Sequence, residues 1–246
     1  MNVCWLDTVD STNSEALRRL PELPSGTVLA TYEQTAGRGQ RGNTWFTQSG
    51  KNLTFSIVLK YGPGGLPALS AADAIRLNAL SSVAVARFLQ AHGVRPFIKW
   101  PNDIYVNGGK ICGMLIENSL DGSGIGSSVL GIGINLNQRV FPQLANATSL
   151  ALCTGEEYPL EAALNEFLAI FEDLLPLLPE EDLFREYSSR LFRKGESARY
   201  HDLLTDREYR GVIQGVAPDG RLCIRDLDAP GSPLHHYRFK EVSYLL

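Results

Sequence analysis

The sequence has few cysteines, no excess of basic residues and no long apolar run, and each absence excludes a class of protein. Its four cysteines form no CxxC pair, which argues against a zinc site or a disulfide framework. The formal net charge is −4, whereas nucleic-acid binders usually carry a basic excess because phosphate contacts dominate their affinity. The richest apolar stretch, residues 164–178, is interrupted by three acidic residues and a proline, so we expect no membrane partner.

The first residues, MNVCWLDTVDSTN, lack the features of a secretory signal. They have neither a basic start nor an apolar run followed by small residues. We therefore expect a cytoplasmic protein with reduced thiols. The 246 residues are enough for one large domain, or for a main domain with a small appendix.

Up to about residue 192 the sequence alternates between helix and strand patterns. Thr12 and Glu15 have the spacing of a capping box, ahead of an apolar stripe that Pro21 and Pro24 end. Further helices are predicted over residues 69–91, 159–178 and 181–191, and strands over residues 27–31, 52–60, 97–100, 104–106, 111–117 and 129–136. This pattern predicts an α+β main domain with a mixed sheet.

Beyond about residue 193 the pattern changes to short β segments. They are predicted over residues 197–201, 209–217, 221–226 and 235–239, with a tight turn at residues 218–220. Several short strands separated by turns are typical of a small barrel. The sequence thus predicts a main domain at residues 1–192 and a C-terminal β domain at residues 193–246.

The segment GRGQRGNTWF, residues 37–46, begins with the G-x-G-x-x-G spacing of a dinucleotide-binding loop. That fingerprint needs a helix to open at its last glycine, but Gly42 leads into polar residues and another strand, so we reject it. The loop can still bind an anion, through its backbone N–H groups and the forked donors of Arg38 and Arg41, while Trp45 stacks on a base or packs beneath it. From the residues alone, a mobile surface loop is an equal alternative.

The run FIKWPNDIYVNGGKICGMLIE gathers Lys99, Asn102, Asp103 and Lys110 beside two apolar β segments. If these segments form a hairpin, Lys110 lies just past its turn and the other three lie at its opposite end. A lysine there can neutralise charge that develops on a carboxylate and a phosphate. An aspartate can orient or deprotonate an amine, or hold Mg²⁺. The alternative is an ordinary hairpin with solvated lysines.

A third segment, GIGINLN at residues 131–137, combines small residues with two asparagines. An asparagine amide offers a donor and an acceptor, and can recognise the edge of adenine. From the residues alone, a strand end with turn-forming asparagines is favoured. The HExxH, GxSxG and P-loop motifs of other enzyme classes are absent from the sequence.

Taken in order, DSTN, QTAGRGQRGNTW, KWPNDIYVNGGKICGMLIE and GIGINLN resemble the biotin protein ligases. The resemblance is clear from residue 6 to residue 137 and looser beyond. It implies a catalytic domain of the biotin/lipoate ligase, class II synthetase-like type, followed by a small SH3-like barrel. It also implies a two-step reaction. Biotin and MgATP form biotinyl-5′-AMP and pyrophosphate, and a lysine of a biotin carboxyl carrier domain then attacks the adenylate.

The resemblance also assigns roles to residues. Lys110, Asp103 and Arg38 would be catalytic, with Lys110 on the biotin carboxylate and α-phosphate and Asp103 activating the acceptor lysine or placing metal. Biotin would be bound by Ser11, Thr12, Asn13, Gln34, Gly37, Arg38, Gly39, Gln40, Lys110 and Gly113. ATP and the adenylate would be bound by Arg38, Arg41, Trp45, Lys99, Asn102, Lys110 and Asn135. In this scheme Trp45 covers the adenine and Asn135 contacts its edge, and the metal ligands stay unassigned.

Two features depart from the family pattern. Gln40 and Asn43 stand where many members carry arginines that retain the adenylate, so we expect weaker retention unless a group such as Lys51 compensates. Because the DSTN segment begins at Asp10, we expect no DNA-binding domain upstream of it. We therefore expect a short form with no DNA partner, and leave monomer and homodimer open.

Two other functions remain as alternatives. Lipoate ligases and octanoyltransferases share the catalytic fold and also modify a carrier lysine, although the GRGQRGNTW block and the β appendix favour biotin. A sensing module that binds biotin or a nucleotide without turnover is the second alternative. The missing loop arginines favour it, and the presence of Lys110 and Asp103 argues against it.

Overall fold

An eight-stranded mixed sheet forms the larger part of the molecule, which a computed structural model describes over residues 1–122, 124–142 and 146–245. Its strands are β1 (Asn2–Val9), β2 (Thr27–Gln34), β3 (Leu53–Lys60), β4 (Leu69–Ser70), β5 (Pro96–Lys99), β6 (Asp103–Val106), β7 (Gly109–Asp121) and β8 (Gly124–Ile134). The order is β1-β2-β3-β8-β7-β6-β5, and β4 pairs with β8. Only the β1–β2 pair among these is parallel.

Five α-helices are present in the described residues, and their starts differ in part from the sequence prediction. They are α1 (Thr12–Arg18), α2 (Ala74–Ala91), α3 (Leu150–Thr154), α4 (Leu160–Leu174) and α5 (Glu181–Ser189). Ser11, not Thr12, caps α1, because its hydroxyl accepts the Ser14 N–H. Helix α2 begins at Ala74 rather than at residue 69, because Leu69 and Ser70 pair with β8. Within the described residues, no helix is both long and apolar enough to cross a bilayer.

The two faces of the sheet differ in what packs against them. In β3, Leu53, Phe55, Ile57 and Leu59 pack into the main core with α2 and α4. The alternating positions of a strand point to the opposite face, where Val58 packs against Ala16 of α1. Along β7 and β8 the same alternation leaves three glycines on the α1 face, at positions 113, 131 and 133. The α1 face therefore has room for a ligand.

A second sheet of five antiparallel strands follows the helices. Its strands are β9 (Ser197–Asp202), β10 (Arg207–Val216), β11 (Leu222–Asp226), β12 (Leu234–Tyr237) and β13 (Val242–Leu245), in the order β12-β11-β10-β9-β13. The Trp100 indole N–H donates to the Gly220 carbonyl at 3.1 Å, which fixes the second sheet beside the β5–β6 connection. The division of the chain at residue 192 stays a prediction.

Candidate active site

A cavity of about 550 Å³ lies on the α1 face of the large sheet, where the second sheet meets it. This volume is within the range of small-molecule sites. The predicted residues that line it are Ser11, Thr12, Asn13, Gln34, Arg38, Gly39, Gln40, Trp45, Lys99, Asn102, Asp103, Lys110 and Gly113. Gly37 and Asn135 are not part of the lining. The side chain of Arg41 lies outside the described residues.

One end of the cavity, which we call the neutral end, is lined by the uncharged polar side chains of Ser11, Thr12, Asn13 and Gln34, and Ser56 supports them from outside the lining. The Thr12 N–H and hydroxyl donate to the amide oxygen of Gln34, at 2.8 and 3.3 Å. The Ser56 hydroxyl lies 2.8 Å from Thr12 Oγ1 and 2.6 Å from Asn13 Oδ1. Ser11, Thr12, Asn13 and Ser56 are buried and Gln34 is half-buried. Because these groups are already hydrogen-bonded, their positions are set before any ligand binds.

Arg38 extends this network towards the edge of the cavity. Its guanidinium binds Glu117 of β7 in a bidentate ion pair, with distances of 2.7 and 3.2 Å, and donates to the Ser14 hydroxyl at 3.3 Å. The same carboxylate accepts the Asn13 amide N–H at 2.9 Å. Glu117 therefore ties the glycine loop and the start of α1 to one point of β7.

Three glycines of β7 and β8 let other side chains of the site lie directly against the sheet. A side chain at Gly131 would bring its Cβ to 2.1 Å from Asn13 Oδ1, and one at Gly133 would lie 2.4 Å from the Trp45 indole. A Cβ at Gly113 would lie 2.9 Å from the same indole. Glycine is thus required at these strand positions because another group lies against the backbone. The sequence pattern GIGIN had favoured a plain strand end.

The glycine loop folds back on itself without forming an α-helix. The Trp45 N–H donates to the Gly37 carbonyl at 3.0 Å, and the Gly39 N–H donates to the Asn43 carbonyl at 2.7 Å. Between them, Gln40–Gly42 form one 3-10 turn that ends with Gly42 at φ +84°. This conformation agrees with the rejection of a dinucleotide fingerprint, and it aims Trp45 into the cavity.

The other end of the cavity, which we call the charged end, contains Lys99, Asp103 and Lys110. The β6–β7 hairpin turns at Asn107 and Gly108, both with positive φ, and Lys110 follows directly. The Lys110 ammonium lies 2.8 Å from Asp103 Oδ1, and its backbone N–H donates to the Asn146 carbonyl at 2.7 Å. The hairpin pattern alone placed Lys110 and Asp103 at opposite ends, whereas in the structure the Lys110 side chain reaches back along the hairpin to Asp103.

Two predicted asparagines are held by the protein itself. The Asn102 amide is buried and donates to Asn78 on α2 and to the Met114 carbonyl, at 3.1 and 3.4 Å. The Asn135 amide N–H donates to the Thr148 carbonyl at 3.0 Å, which leaves its Oδ1 buried and without a partner among the described residues. That oxygen is an acceptor that an amino group could satisfy.

Sequence analysis missed several residues that line the cavity or support its lining, and the signals of these residues differ in strength. Thr54 and Ser56 alternate with large apolar residues along β3, a visible sign of a polar face on a buried strand. Glu117 directly follows an uncharged run at residues 111–116 of β7, which marks it only weakly. Tyr244, by contrast, comes from β13, which was not predicted, and reaches the cavity only through the packing of the two sheets.

Comparisons with known proteins identify the family. Residues 5–135 match the model of the biotin/lipoate A/B protein ligase family. The chain is 33% identical over 177 residues to the bifunctional ligase/repressor BirA of Bacillus spizizenii, which is 70% of this chain and 53% of that protein. It is 40% identical over 131 residues to a biotin–[acetyl-CoA-carboxylase] ligase of Paracoccus denitrificans, which is 53% of each. The chain spans about half the length of these curated relatives.

The fold is also shared with solved structures. The biotin protein ligase from Aquifex aeolicus in complex with biotin and ATP matches with a TM-score of 0.76 and 25% identity, over 98% of this chain and 97% of that one. This likeness confirms the predicted fold class. Since the family model covers more than half of its residues, the chain belongs to the biotin/lipoate A/B protein ligase family.

Proposed function

We propose that the chain is an ATP-dependent ligase that attaches biotin to a lysine of a biotin carboxyl carrier domain, through biotinyl-5′-AMP. The observation that carries this proposal is a single cavity with a neutral hydrogen-bonding end and a charged end, which is also lined by apolar residues such as Trp45, Met114 and Ile132. Biotin has the same sequence of parts: an uncharged ureido ring, an aliphatic chain and a carboxylate. The Aquifex aeolicus ligase, whose structure is a complex with biotin and ATP, supports the same assignment.

At the neutral end, the hydroxyls of Ser11 and Thr12 and the amide of Gln34 bind the ureido ring. A ureido group offers two N–H donors and one carbonyl acceptor, so an uncharged set of hydroxyls and amides matches it without burying an unpaired charge. The network behind these groups keeps them fixed, which reduces the entropy lost on binding. The aliphatic chain then packs against Trp45, which lies over Gly113 and Gly133.

At the charged end, Lys110 neutralises the charge that develops during adenylation. A biotin carboxylate oxygen attacks the α-phosphorus of ATP, the bond to the β-phosphate oxygen breaks, and pyrophosphate leaves. In the second step the amine of the acceptor lysine attacks the acyl carbon and AMP leaves. Asp103, 2.8 Å from Lys110, accepts or orients the proton of that amine.

Mg²⁺ is the usual counter-ion of ATP, and the charged end offers it one carboxylate ligand. No group of three His, Cys, Asp or Glu side chains that could hold a metal occurs among the described residues. Mg²⁺ is, however, commonly bound by one or two carboxylates together with substrate phosphates, and Asp103 supplies one carboxylate on the cavity surface. When bound, the ion would neutralise phosphate charge, and Asp103 would be its protein ligand.

The decisive test is mass spectrometry of a biotin carboxyl carrier domain incubated with this protein, biotin and MgATP. We expect a mass gain equal to one biotinyl group, and its loss in the Lys110→Ala variant. Replacing biotin by lipoate separates the related ligases, since a lipoyl gain without a biotinyl gain would overturn the choice of substrate. Absence of any gain together with absence of pyrophosphate release would favour the sensing module. The cytoplasmic location and the oligomeric state stay predictions.

A further inference from the structure

The ammonium group of Lys99 lies between two tyrosine rings that come from different sheets. It is 5.2 Å from the ring centroid of Tyr105 on β6 and 5.1 Å from that of Tyr244 on β13. Both distances are within the range of cation–π attraction. Lys99 and Tyr244 both line the cavity, so this pair of rings holds a positive charge at its charged end.

The charge of Lys99 is held in place but is not neutralised. No carboxylate of the described residues lies within 4 Å of its ammonium, whereas Lys110 is paired with Asp103 at 2.8 Å. Burial lowers the pKa of Lys99, the charge of Asp103 opposes that shift, and Lys110 and Arg193 add to it. Aromatic faces attract a cation through their quadrupole without cancelling its net charge. Lys99 therefore remains free to bind an anion.

Tyr244 is itself fixed by its surroundings. Its ring contacts Tyr200 edge-on with centroids 5.5 Å apart, and Phe192 with centroids 6.4 Å apart. The next carbonyl, of Leu245, accepts the Arg193 guanidinium N–H at 3.2 Å. Burial raises the pKa of the Tyr244 phenol, so the ring is neutral and acts through its face rather than as a counter-ion. A rigid neutral ring suits the positioning of a cation.

We propose that Tyr244 is a positioning residue that fixes the ammonium of Lys99 against the phosphate chain of ATP, so that the second sheet completes the nucleotide site. This inference rests on the proposed function, because it takes ATP as the anion. It assigns to the second sheet a part in ATP binding that acts through Lys99 and leaves the neutral end untouched.

The test compares Tyr244→Leu with Tyr244→Phe in the full chain, with pyrophosphate release as the assay. We expect Tyr244→Leu to raise KM for ATP roughly tenfold, since it removes one of the two cation–π contacts. Tyr244→Phe keeps the ring face and should restore KM to the wild-type value. Biotin affinity should be the same in both variants. Tyr32→Leu is the matched control, because it makes the same substitution at a ring that stacks on Trp5, with centroids 4.7 Å apart, outside the cavity lining.

A double-mutant cycle separates positioning from a structural effect. If Tyr244 acts through Lys99, then Tyr244→Leu should raise KM for ATP no further in a Lys99→Ala background. Additive losses, or an unchanged KM for ATP in a folded Tyr244→Leu variant, would overturn the inference. A wild-type protein that releases no pyrophosphate with biotin and ATP would instead overturn the proposed function, and the inference with it.

A measurement on the unaltered protein covers the case in which Tyr244→Leu does not fold. Two ring faces near one ammonium should move the NMR signals of the Lys99 Cε protons upfield through ring currents. Lys99→Arg provides the assignment. We expect these signals to shift when ATP is added. Signals at ordinary lysine positions that ATP leaves unchanged would contradict the proposed role.

Discussion

The neutral and charged ends of the cavity hold their polar groups in opposite ways. At the neutral end Ser11, Thr12 and Asn13 are 2–3% exposed and Ser56 is fully buried. At the charged end the side chains of Lys110 and Asp103 are 32% and 35% exposed. The polar groups of the neutral end are fixed before a ligand binds. Those of the charged end are exposed to water and can interact with the charges of the ligand.

Under the proposed function, the difference follows from the chemistry of the ligand group that each end binds. A neutral ring is recognised by hydrogen bonds, which lose little when buried as long as every partner is supplied. A carboxylate and a polyphosphate bring several negative charges, and cations buried to await them would carry a large desolvation cost. Partial exposure and the Lys110–Asp103 pair keep that cost low until the substrates displace water.

The largest effect is expected from Lys110→Ala at the charged end. Loss of a group that stabilises charge in the transition state typically slows the reaction roughly 100- to 1,000-fold. We expect a fall of that size in the single-turnover rate of adenylate formation. Lys60→Ala, at the end of β3 and outside the cavity lining, is the control. A rate that stays within a few-fold of wild type would remove Lys110 from the mechanism.

A smaller effect is expected from Ser56→Ala at the neutral end. This change leaves Thr12 Oγ1 and Asn13 Oδ1 with one hydrogen bond fewer in a buried site. An unsatisfied buried group costs about 1–3 kcal/mol, so biotin affinity measured by calorimetry should fall by roughly tenfold or more. Ser127→Ala, on β8 and outside the cavity lining, should bind biotin as wild type does. Equal affinities in both variants would mean that the neutral end is not preorganised.

From the residues alone, the sequence grouped the side chains of the charged end but not those of the neutral end, which only the family resemblance brought together; the reason is local geometry. Lys110 and Asp103 belong to one hairpin, so their approach depends only on strand pairing across the Asn107-Gly108 turn. The neutral end needs contacts between residues far apart in the chain, such as Asn13 with Glu117. No local pattern encodes such a contact.

The missed elements show the same limit for the fold. Strand β1 was not predicted because it lies at the sheet edge, where only its pairing with β2 marks it as a strand. Strand β13 has only four residues and is recognisable as a strand only through its pairing with β9, which places Tyr244 opposite Tyr200. The roles of Tyr244 and Glu117 depend on packing between elements and were therefore beyond sequence analysis.

Glu117→Gln should lower biotin affinity only modestly. The carboxylate binds Arg38 at 2.7 Å, but the side chains are 42% and 26% exposed, so solvent screens the pair. Such pairs contribute about 0–1 kcal/mol, which sets a loss of up to about fivefold in biotin affinity. Trypsin should cut the glycine loop at Arg38 or Arg41 faster in the variant. Glu208→Gln, which breaks the exposed pair with Arg199, should leave loop cleavage unchanged.

The smallest effect is expected at Asp10, which lies next to Ser11 of the neutral end. It should appear as a change in how the stability of the protein depends on pH. Hydrogen bonds from the Arg18 guanidinium, and then from the Ser11 N–H, lower the pKa of Asp10 from 3.8 to about 2. A carboxyl group with a depressed pKa stabilises the fold above its unfolded pKa, and this contribution is lost as pH falls through its folded pKa. Asp10→Asn should therefore be slightly less stable than wild type at pH 6, by about a degree in Tm because the pair is exposed. That difference should shrink as the pH falls from 3.8 towards 2 in urea unfolding. A difference that stayed constant over this range would show that Asp10 acts on α1 through its shape and not through its charge.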